Sequence, residues 1–298
     1  MTTALLLFPD FTLILLGWLL YRYFTLGDGF WSGMEKLIYF ILFPALLFNA
    51  ILQTPFSFDS AGQVMWIGLA ATGSGVVLGY LARWLFRPDS VLFASGVQCA
   101  FRFNSYIALA LAGRVGGEAG IAWMALLIGI NVPLCNAAAV WALARQSKLG
   151  VWREMARNPL ILATLAGLTL NLLGVRLPDF ISATLGRLGA ASLALGLLAV
   201  GAGLRLTGIA GARALVSYWL AVKLFAMPCI TYAIAHWQGV PPLQLQILVM
   251  FAALPTASSA YILAMRLGGN GAIVAFLISS GTLISILSLP LWLGWLGS

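Results

Sequence analysis

An arginine in the middle of an apolar segment is the strongest chemical signal in this sequence. The segment VLFASGVQCAFRFNSYIALALAG (91–113) is long enough to cross a bilayer, and Arg102 lies near its centre. A cation at that depth costs about 2.5–3.5 kcal/mol on insertion scales, and no Asp or Glu lies in the middle of a predicted span. We therefore expect the guanidinium to bind an anion, with a forked contact to a carboxylate. The alternative is a structural arginine that caps helix carbonyls or pairs with an acid.

Polar and helix-breaking residues lie beside Arg102 and again in a later apolar segment, FAALPTASSAYILAM (251–265). Asn104 and Ser105 compete for backbone hydrogen bonds, and Pro255 removes a backbone donor in mid-span. Two helices interrupted at these points could cross at the bilayer centre and present half-helix N-termini to an anion; ordinary kinks are the alternative. The predicted substrate-binding residues are Arg102, Asn104, Ser105, Tyr106, Asn131, Pro255, Thr256, Ser258 and Ser259. The candidate cavity-lining residues are Asn49, Gln98, Asn136 and Tyr261.

Lys223 is the other basic residue inside a predicted span, and it lies five residues before Pro228. Its long stem could snorkel, and we favour a structural role at a kinked helix over a ligand contact. The three cysteines, Cys99, Cys135 and Cys229, match no metal-ligand spacing, so packing is the better interpretation. We predict no metal, no cofactor and no catalytic residue.

The composition identifies the elements that must hold these residues. Of the 298 residues, 62% are hydrophobic and 8% are charged, whereas a soluble domain has about 25% charged residues; the mean hydropathy is +1.00. We predict an all-α integral membrane protein, because ~20 apolar residues per span allow about ten helices and the continuous apolar blocks exclude a β-barrel. The net charge of +8 is scattered over the loops and indicates no nucleic-acid partner.

Apolar runs between charged or Gly/Pro-rich breaks predict ten spans. Their approximate bounds are 4–24, 34–53, 61–86, 90–113, 118–144, 158–174, 184–205, 212–236, 242–265 and 271–296. The first segment lacks a basic region, and we interpret it as a span and not as a signal peptide. The loops after the odd-numbered spans carry eleven Lys and Arg residues, whereas the opposite side carries three. The positive-inside rule therefore places those loops in the cytoplasm and both termini on the external side.

A duplication is indicated by two pairs of similar segments. RVGGEAGIA (114–122) is similar to RLGGNGAIV (266–274), an offset of 152, and Pro9 precedes Gly17 as Pro159 precedes Gly167, an offset of 150. Chance similarity between Gly-rich helix ends is the alternative. A duplicated five-helix unit must insert its second copy upside down, and inverted repeats with a midplane site are typical of secondary transporters. We predict one repeat over 1–145 and the other over 158–298.

Five segments carry a resemblance to a known family: LIYFILFPALLFNAIL (37–52), FNSYIALAL (103–111), INVPLCNAAAVWAL (130–143), NPLILATLAGLTLNLLGVRLP (158–178) and LPTASSAYILAMRLGGN (254–270). Together they resemble the auxin efflux carrier family, whose bacterial members are often called malate or malonate permeases. The resemblance implies the fold of the bile-acid, arsenite and riboflavin transporter superfamily, in which helices four and nine are broken and cross. It implies a scaffold half of helices 1, 2, 6 and 7 and a transport half of helices 3–5 and 8–10.

The same resemblance implies a function and a location. It implies export of small organic anions, such as malate, malonate or auxin-like acids, by elevator-type alternating access in a homodimer of the bacterial inner membrane. Asn104 matches the family's crossover asparagine, and Pro255 matches its crossover proline. Many relatives continue from that asparagine in a pattern like N-x-x-x-G-x-P, where this sequence has Ala108 and Ala110. The fourth span therefore lacks the proline of those relatives.

Other classes of function fit the residues less well. A membrane enzyme would need a catalytic set, and the sequence has a single histidine, His236, no HExxH motif and no carboxylate cluster. A channel or receptor would give a similar hydropathy profile, but a pore lined by charged rings is not evident. We therefore predict a transporter and no enzyme. The scarcity of buried Asp and Glu argues against a carboxylate proton relay and favours uniport or weakly coupled efflux. Sodium-coupled organic-anion symport of the bile-acid type is the alternative.

Overall fold

The computed structural model describes residues 3–24, 26–53, 58–143, 159–204, 212–257, 259–266 and 268–297. Within these ranges the chain is helical, with turns and short extended links and no strand. Helices are the structure expected for the apolar segments, because a helix satisfies its backbone hydrogen bonds within one segment and needs no water to do so.

The helices are numbered here in chain order. They are α1 (Thr3–Tyr23), α2 (Gly27–Leu37), α3 (Phe43–Gln53), α4 (Phe58–Phe86), α5 (Ser90–Gly96), α6 (Ser105–Leu143), α7 (Pro159–Leu172), α8 (Asp179–Ala202), α9 (Arg213–Ala221), α10 (Met227–Trp237), α11 (Pro242–Ala253), α12 (Ser259–Arg266) and α13 (Gly271–Leu296). Two π-helical turns, Ile38–Leu42 and Val222–Ala226, join α2 to α3 and α9 to α10, and a 3₁₀ turn, Val97–Ala100, follows α5. Such π-helical turns are rare and occur frequently at functional sites.

Six segments of the described chain are long and apolar enough to cross a membrane. They are Gly27–Gln53, Ala61–Phe86, Ser90–Leu143, Asp179–Ala202, Arg213–Trp237 and Gly271–Leu296, and two shorter apolar helices are Leu162–Leu172 and Pro242–Ala253. The segment Ser90–Leu143 covers two of the predicted spans, and within it Gly116 and Gly117 leave the helical conformation. The φ of 57° at Gly117 favours glycine, because other residues are strained there. Length and composition thus support an integral membrane protein.

Two helices begin at least five residues before their predicted starts. The helix predicted from residue 34 begins at Gly27, and the helix predicted from residue 184 begins at Asp179. The first turns of both contain charged residues, which the prediction interpreted as loop. In α2 the buried side chains of Trp31 and Met34 show why this polar sequence is helical, since its apolar face packs inward.

The first compact unit comprises Met1–Met65, Tyr106–Ile130 and Trp152–Gly203. Within it α1 packs on α8, where a Cβ on Gly17 would overlap the carbonyl oxygen of Leu198. Similarly α7 packs on α3, where a Cβ on Gly167 would lie 3.1 Å from the carbonyl oxygen of Phe48. Small residues allow this close approach of helix backbones, which is a common way for membrane helices to associate.

The second compact unit comprises Trp66–Ser105, Asn131–Val151 and Leu204–Ser298. Two aromatic side chains of α9 bind carbonyl groups of α4: Trp219 Nε1 donates to Gly79 O at 3.1 Å, and Tyr218 OH donates to Leu78 O at 2.7 Å. The Trp219 ring is fully buried, and it occupies the space that a Cβ on Gly96 of α5 would need. These contacts fix α4, α5 and α9 around the residues described next.

Candidate anion-binding site

The fourth predicted span contains a short non-helical stretch, residues 101–104, which we call the first interruption. It lies between the 3₁₀ turn Val97–Ala100 and α6, which begins at Ser105. The backbone N–H groups of Phe101 and Arg102 both donate to Gln98 O, at 3.3 and 2.9 Å, so the helical hydrogen-bond ladder ends at that carbonyl. The Asn104 N–H then turns away from its own helix to another segment.

The ninth predicted span contains the second interruption, residues 254–257, between α11 and α12. Its local cause is the proline: the residue before a proline is driven from the helical to the extended region, and Leu254 has φ −61° and ψ 141°. The proline also lacks an N–H donor, and its ring would clash with the carbonyl four residues earlier if α11 continued through it. Ser258, one of the predicted binding residues, lies outside the described residues.

The two interruptions contact each other inside the second unit. The Asn104 N–H donates to Pro255 O at 2.8 Å, and Thr256 Oγ1 donates to Cys99 O at 2.8 Å. The rings of Phe103 and Phe251 pack with their centroids 4.6 Å apart. The second interruption thus exchanges hydrogen bonds with the first interruption and with the 3₁₀ turn before it, and such pairing is the condition for irregular backbone to be buried.

Arg102 lies at this contact with part of its guanidinium unsatisfied. Its side chain is 9% exposed, Nη2 donates to Ser259 Oγ at 3.1 Å, and Nη1 is buried without a hydrogen-bond partner among the described residues. One turn earlier, Gln98 Nε2 donates to Ser95 O and to Ala260 O, each at 3.1 Å. A buried charged donor without an acceptor is costly, so Nη1 is available to an acceptor outside the described residues, such as a bound ligand.

The charge balance of the second unit is strongly positive at its centre. Its sequence contains one acidic residue, Asp89, and that carboxylate caps the N-terminus of α5 by accepting from Val91 N and Leu92 N. Arg102 therefore has no carboxylate partner in this unit. The surrounding apolar core leaves its charge poorly screened, which favours an anionic ligand.

A buried lysine lies against the second interruption. Lys223, in the π-helical turn Val222–Ala226, is 2% exposed, and its Nζ donates to Ala252 O at 2.8 Å, in the last turn of α11. The sequence predicts a structural role for Lys223 at a kinked helix but not its contact with α11, because nothing local relates residues 29 positions apart. The only available signal was a lysine inside an apolar span.

Comparison with known proteins decides the family. The sequence model of the membrane transport protein family, which is the auxin efflux carrier family, matches residues 140–293, just over half of the chain. The chain belongs to this family. The resemblance found in the sequence is therefore confirmed.

Two relatives match this family member over most of its length. A protein of Rhizobium meliloti (strain 1021) named "Putative malonate transporter" is 26% identical over 275 residues, which cover 88% of this chain and 86% of that protein. A protein of Methanothermobacter thermautotrophicus named "Uncharacterized transporter" is 24% identical over 286 residues, 94% of each chain. The family and both names point to a transporter and not to an enzyme.

The predicted site residues of this family member fall into two groups. The structure brings together Gln98, Arg102, Asn104, Pro255, Thr256 and Ser259 through the contacts given above. Ser105 is the half-buried first residue of α6, Tyr261 of α12 is 40% exposed, and in α6 Asn131 is fully buried and Asn136 half-buried.

Two predicted residues belong to the first unit instead. The ring of Tyr106 packs on that of Phe43, with centroids 4.7 Å apart, and Asn49 Oδ1 accepts from Gln53 Nε2 at 3.0 Å. The sequence could not reveal that Tyr106 belongs to the first unit, because the adjacent Ser105 belongs to the second.

A cavity of about 360 Å³ in the second unit lies apart from these residues. Its lining includes Tyr80, Arg83, Trp84, Trp141, Gly268 and Gly269. None of the predicted binding residues that the structure describes lines it, so the candidate site is defined by hydrogen-bonding geometry and charge and not by this cavity.

Proposed function

We propose that this protein is a secondary transporter that exports small organic anions, carboxylates such as malonate, malate or auxin-like acids. The observation that carries the proposal is the buried guanidinium of Arg102, with Nη1 unpartnered among the described residues and no carboxylate in its unit to neutralise it. A carboxylate ligand would complete its hydrogen bonds and its charge balance together. The name of the Rhizobium relative, which mentions malonate, supports the same class of substrate.

The two interruptions supply further donors for such a ligand. The first-turn N–H groups of a helix have no partner within the helix and carry partial positive charge, and α6 and α12 begin at Ser105 and Ser259. We infer that the carboxylate is held between Arg102 and the N-terminus of α12, with Ser259 Oγ as a neighbouring contact. Ser105, Asn131, Asn136, Ser258 and Tyr261 stay proposed as further wall residues of this site.

We also propose ten spans arranged as two inverted five-helix repeats, 1–145 and 158–298, with the fourth and ninth broken and crossing. The helices α5 and α11 begin at Ser90 and Pro242, which keeps the offset of 152 found in the sequence. Glycines with positive φ, Gly117 and Gly268, follow the two broken spans at nearly the same offset. These correspondences support a duplication, since chance similarity of sequence would not place helix starts in register.

The movement that we propose is of the elevator type, in a homodimer of the bacterial inner membrane with both termini outside. The first compact unit includes the predicted spans 1, 2, 6 and 7, those of the proposed scaffold half, together with residues 106–130 of spans four and five. The second unit holds Arg102 and both interruptions. This division supports a transport half that carries the anion as one body. Export then needs no coupling ion, because an inside-negative potential supplies about 2.3 kcal/mol per charge per 100 mV.

Sodium-coupled symport is the second candidate, and one observation favours it. Gln98 Oε1 is buried without a hydrogen-bond partner in the part of the chain that the structure describes. Carbonyl and amide oxygens bind hard cations, and this oxygen lies beside the two interruptions. Sodium dependence is therefore a variable of the experiment that follows.

The test is ligand binding to the purified protein in lipid nanodiscs, with and without sodium. Malonate, malate, acetate, an auxin-like aromatic acid and a neutral amino acid are screened by thermal shift, and dissociation constants are then measured calorimetrically. We expect one class of carboxylate to stabilise the protein. Arg102→Ala should weaken that binding at least about 30-fold, since removal of one partner of a buried charge pair costs roughly 2–5 kcal/mol.

The matched control is Arg83→Ala, which removes an exposed arginine of the same unit. It should leave the dissociation constant unchanged. Wild-type affinity in Arg102→Ala would refute the role of Arg102, and a wild-type protein that binds no carboxylate would refute the export of organic anions. Binding that requires sodium would select the symporter.

A further inference from the structure

The second interruption has two ends of opposite polarity. The carbonyls that end α11 carry partial negative charge, about −0.5, and the N–H groups that begin α12 carry about +0.5. A ligand at a bare helix break would therefore meet a dipole, which does not by itself prefer an anion to a cation. Selection of an anion requires that the negative end be neutralised.

Lys223 lies at that negative end. Its Nζ donates to Ala252 O at 2.8 Å, and Ala252 lies in the last turn of α11, where carbonyls lack partners within the helix. A hydroxyl or an amide would satisfy this one carbonyl without burying a charge. An ammonium group has three donors, and the described residues give it this one acceptor, although the side chain is 2% exposed. The charge therefore exceeds what capping alone needs.

We propose that Lys223 makes the second interruption selective for anions, because it neutralises the carboxyl end of α11 and leaves the positive end of α12 to face the ligand. This inference rests on the proposed function and assigns to that site a residue that determines specificity. Each interruption then has its own buried cation: Arg102 belongs to the first, and Lys223 caps the second.

The two cations act on one region. Lys223 Nζ donates to Ala252 O in the last turn of α11, and Arg102 Nη2 donates to Ser259 Oγ at the start of α12, so the two side chains lie at opposite ends of the second interruption. Asp89 at the N-terminus of α5 is the only acidic residue in the sequence of this unit. Two positive charges around one site favour a ligand with two negative charges over one with a single charge.

Three variants separate the charge of Lys223 from its hydrogen bond. Lys223→Arg keeps both, Lys223→Gln keeps a donor without charge, and Lys223→Met removes both at similar length. Lys36→Gln, an exposed lysine of the first unit, is the matched control. The full-length protein in nanodiscs is measured for thermal stability and for the dissociation constants of malonate, a dianion, and acetate, a monoanion.

Among the Lys223 variants, we expect malonate affinity to depend on the charge at position 223 and thermal stability to depend on the hydrogen bond to Ala252 O. Lys223→Gln and Lys223→Met should raise the malonate dissociation constant about tenfold or more, and should raise that of acetate less. Lys223→Arg and Lys36→Gln should stay within about twofold of wild type. Only Lys223→Met should lose much stability, since it leaves Ala252 O without a donor.

The outcomes distinguish this inference from the proposed function. Malonate affinity within twofold of wild type in Lys223→Gln would overturn the inference and leave Lys223 as a structural cap, with anion transport intact. Equal losses for malonate and acetate would overturn it as well, because a general loosening of the site predicts no dependence on ligand charge. Failure of the wild type to bind any carboxylate would overturn the proposed function itself.

Discussion

The contact between the two interruptions can be tested by removing one hydroxyl group. Thr256→Val keeps the size of the side chain but deletes the donor to Cys99 O, a bond of 2.8 Å between buried residues. Cys99 O lies where the helical ladder has already ended, so no helical N–H replaces the lost donor. A buried carbonyl left without a donor costs about 1–3 kcal/mol, and we expect the free energy of unfolding to fall by that amount.

A matched substitution removes a hydroxyl of the same kind at a position where the backbone is regular. Thr231 Oγ1 donates to Met227 O, four residues earlier in α10, at 2.8 Å, and Thr231 is fully buried. That carbonyl belongs to the helical ladder, so Thr231→Val should cost only about 0.5 kcal/mol, the low end of the net value of a hydrogen bond. Both variants are compared by reversible unfolding in mixed detergent micelles.

The comparison also has a functional readout. If the contact fixes the interruptions relative to each other, Thr256→Val should weaken malonate binding, whereas Thr231→Val should not. Equal losses of stability in the two variants, or a loss at Thr256 below about 0.5 kcal/mol, would refute the argument that the hydroxyl satisfies an otherwise orphaned carbonyl. The proposed crossing of the spans would then have to rest on the other contacts, those of Asn104 with Pro255 and of Phe103 with Phe251.

Two further predictions concern the proline and the packing of the first unit. Pro255→Ala should lower the turnover of malonate transport in proteoliposomes more than it weakens binding, because the helix can then extend through the second interruption; unchanged turnover would argue against a functional break. Gly17→Ala should destabilise the protein by about 1–3 kcal/mol, the cost of overpacking, because its Cβ would overlap Leu198 O. Gly33→Ala, where a Cβ would meet nothing within 4 Å, should instead be neutral or stabilising in thermal unfolding, and equal effects at both glycines would contradict the close packing of α1 on α8.

The sequence predicted those features that have local causes. The apolar composition predicted an all-α membrane protein, and the spread of short motifs predicted the family that the comparison confirms. The extended conformation of Leu254 follows from the proline after it. The helix starts at Gly27 and Asp179 were missed because charged residues obscure an apolar face that only tertiary packing reveals.

Features that depend on distant residues could not be predicted in this way. The hydrogen bond from Lys223 Nζ to Ala252 O joins two segments, and neither sequence indicates that they are in contact. Tyr106 was grouped with Arg102 on proximity along the chain, yet it belongs to the first unit and packs on Phe43. Arg102 itself was recognised because a buried cation is conspicuous in an apolar segment, but its partner Ser259 required the structure.

The two interruptions are stabilised by different interactions. The second has a proline at its centre, so its irregular backbone is determined by its own sequence. The first interruption has no proline, and it depends on hydrogen bonds to the ninth span. Asn104 N–H donates to Pro255 O, and Arg102 Nη2 donates to Ser259 Oγ at the start of α12. The first interruption should therefore depend on the second. If Pro255→Ala restores a continuous helix in the ninth span, these partners move away, and Arg102 loses the contacts that position it even though its own segment is unchanged.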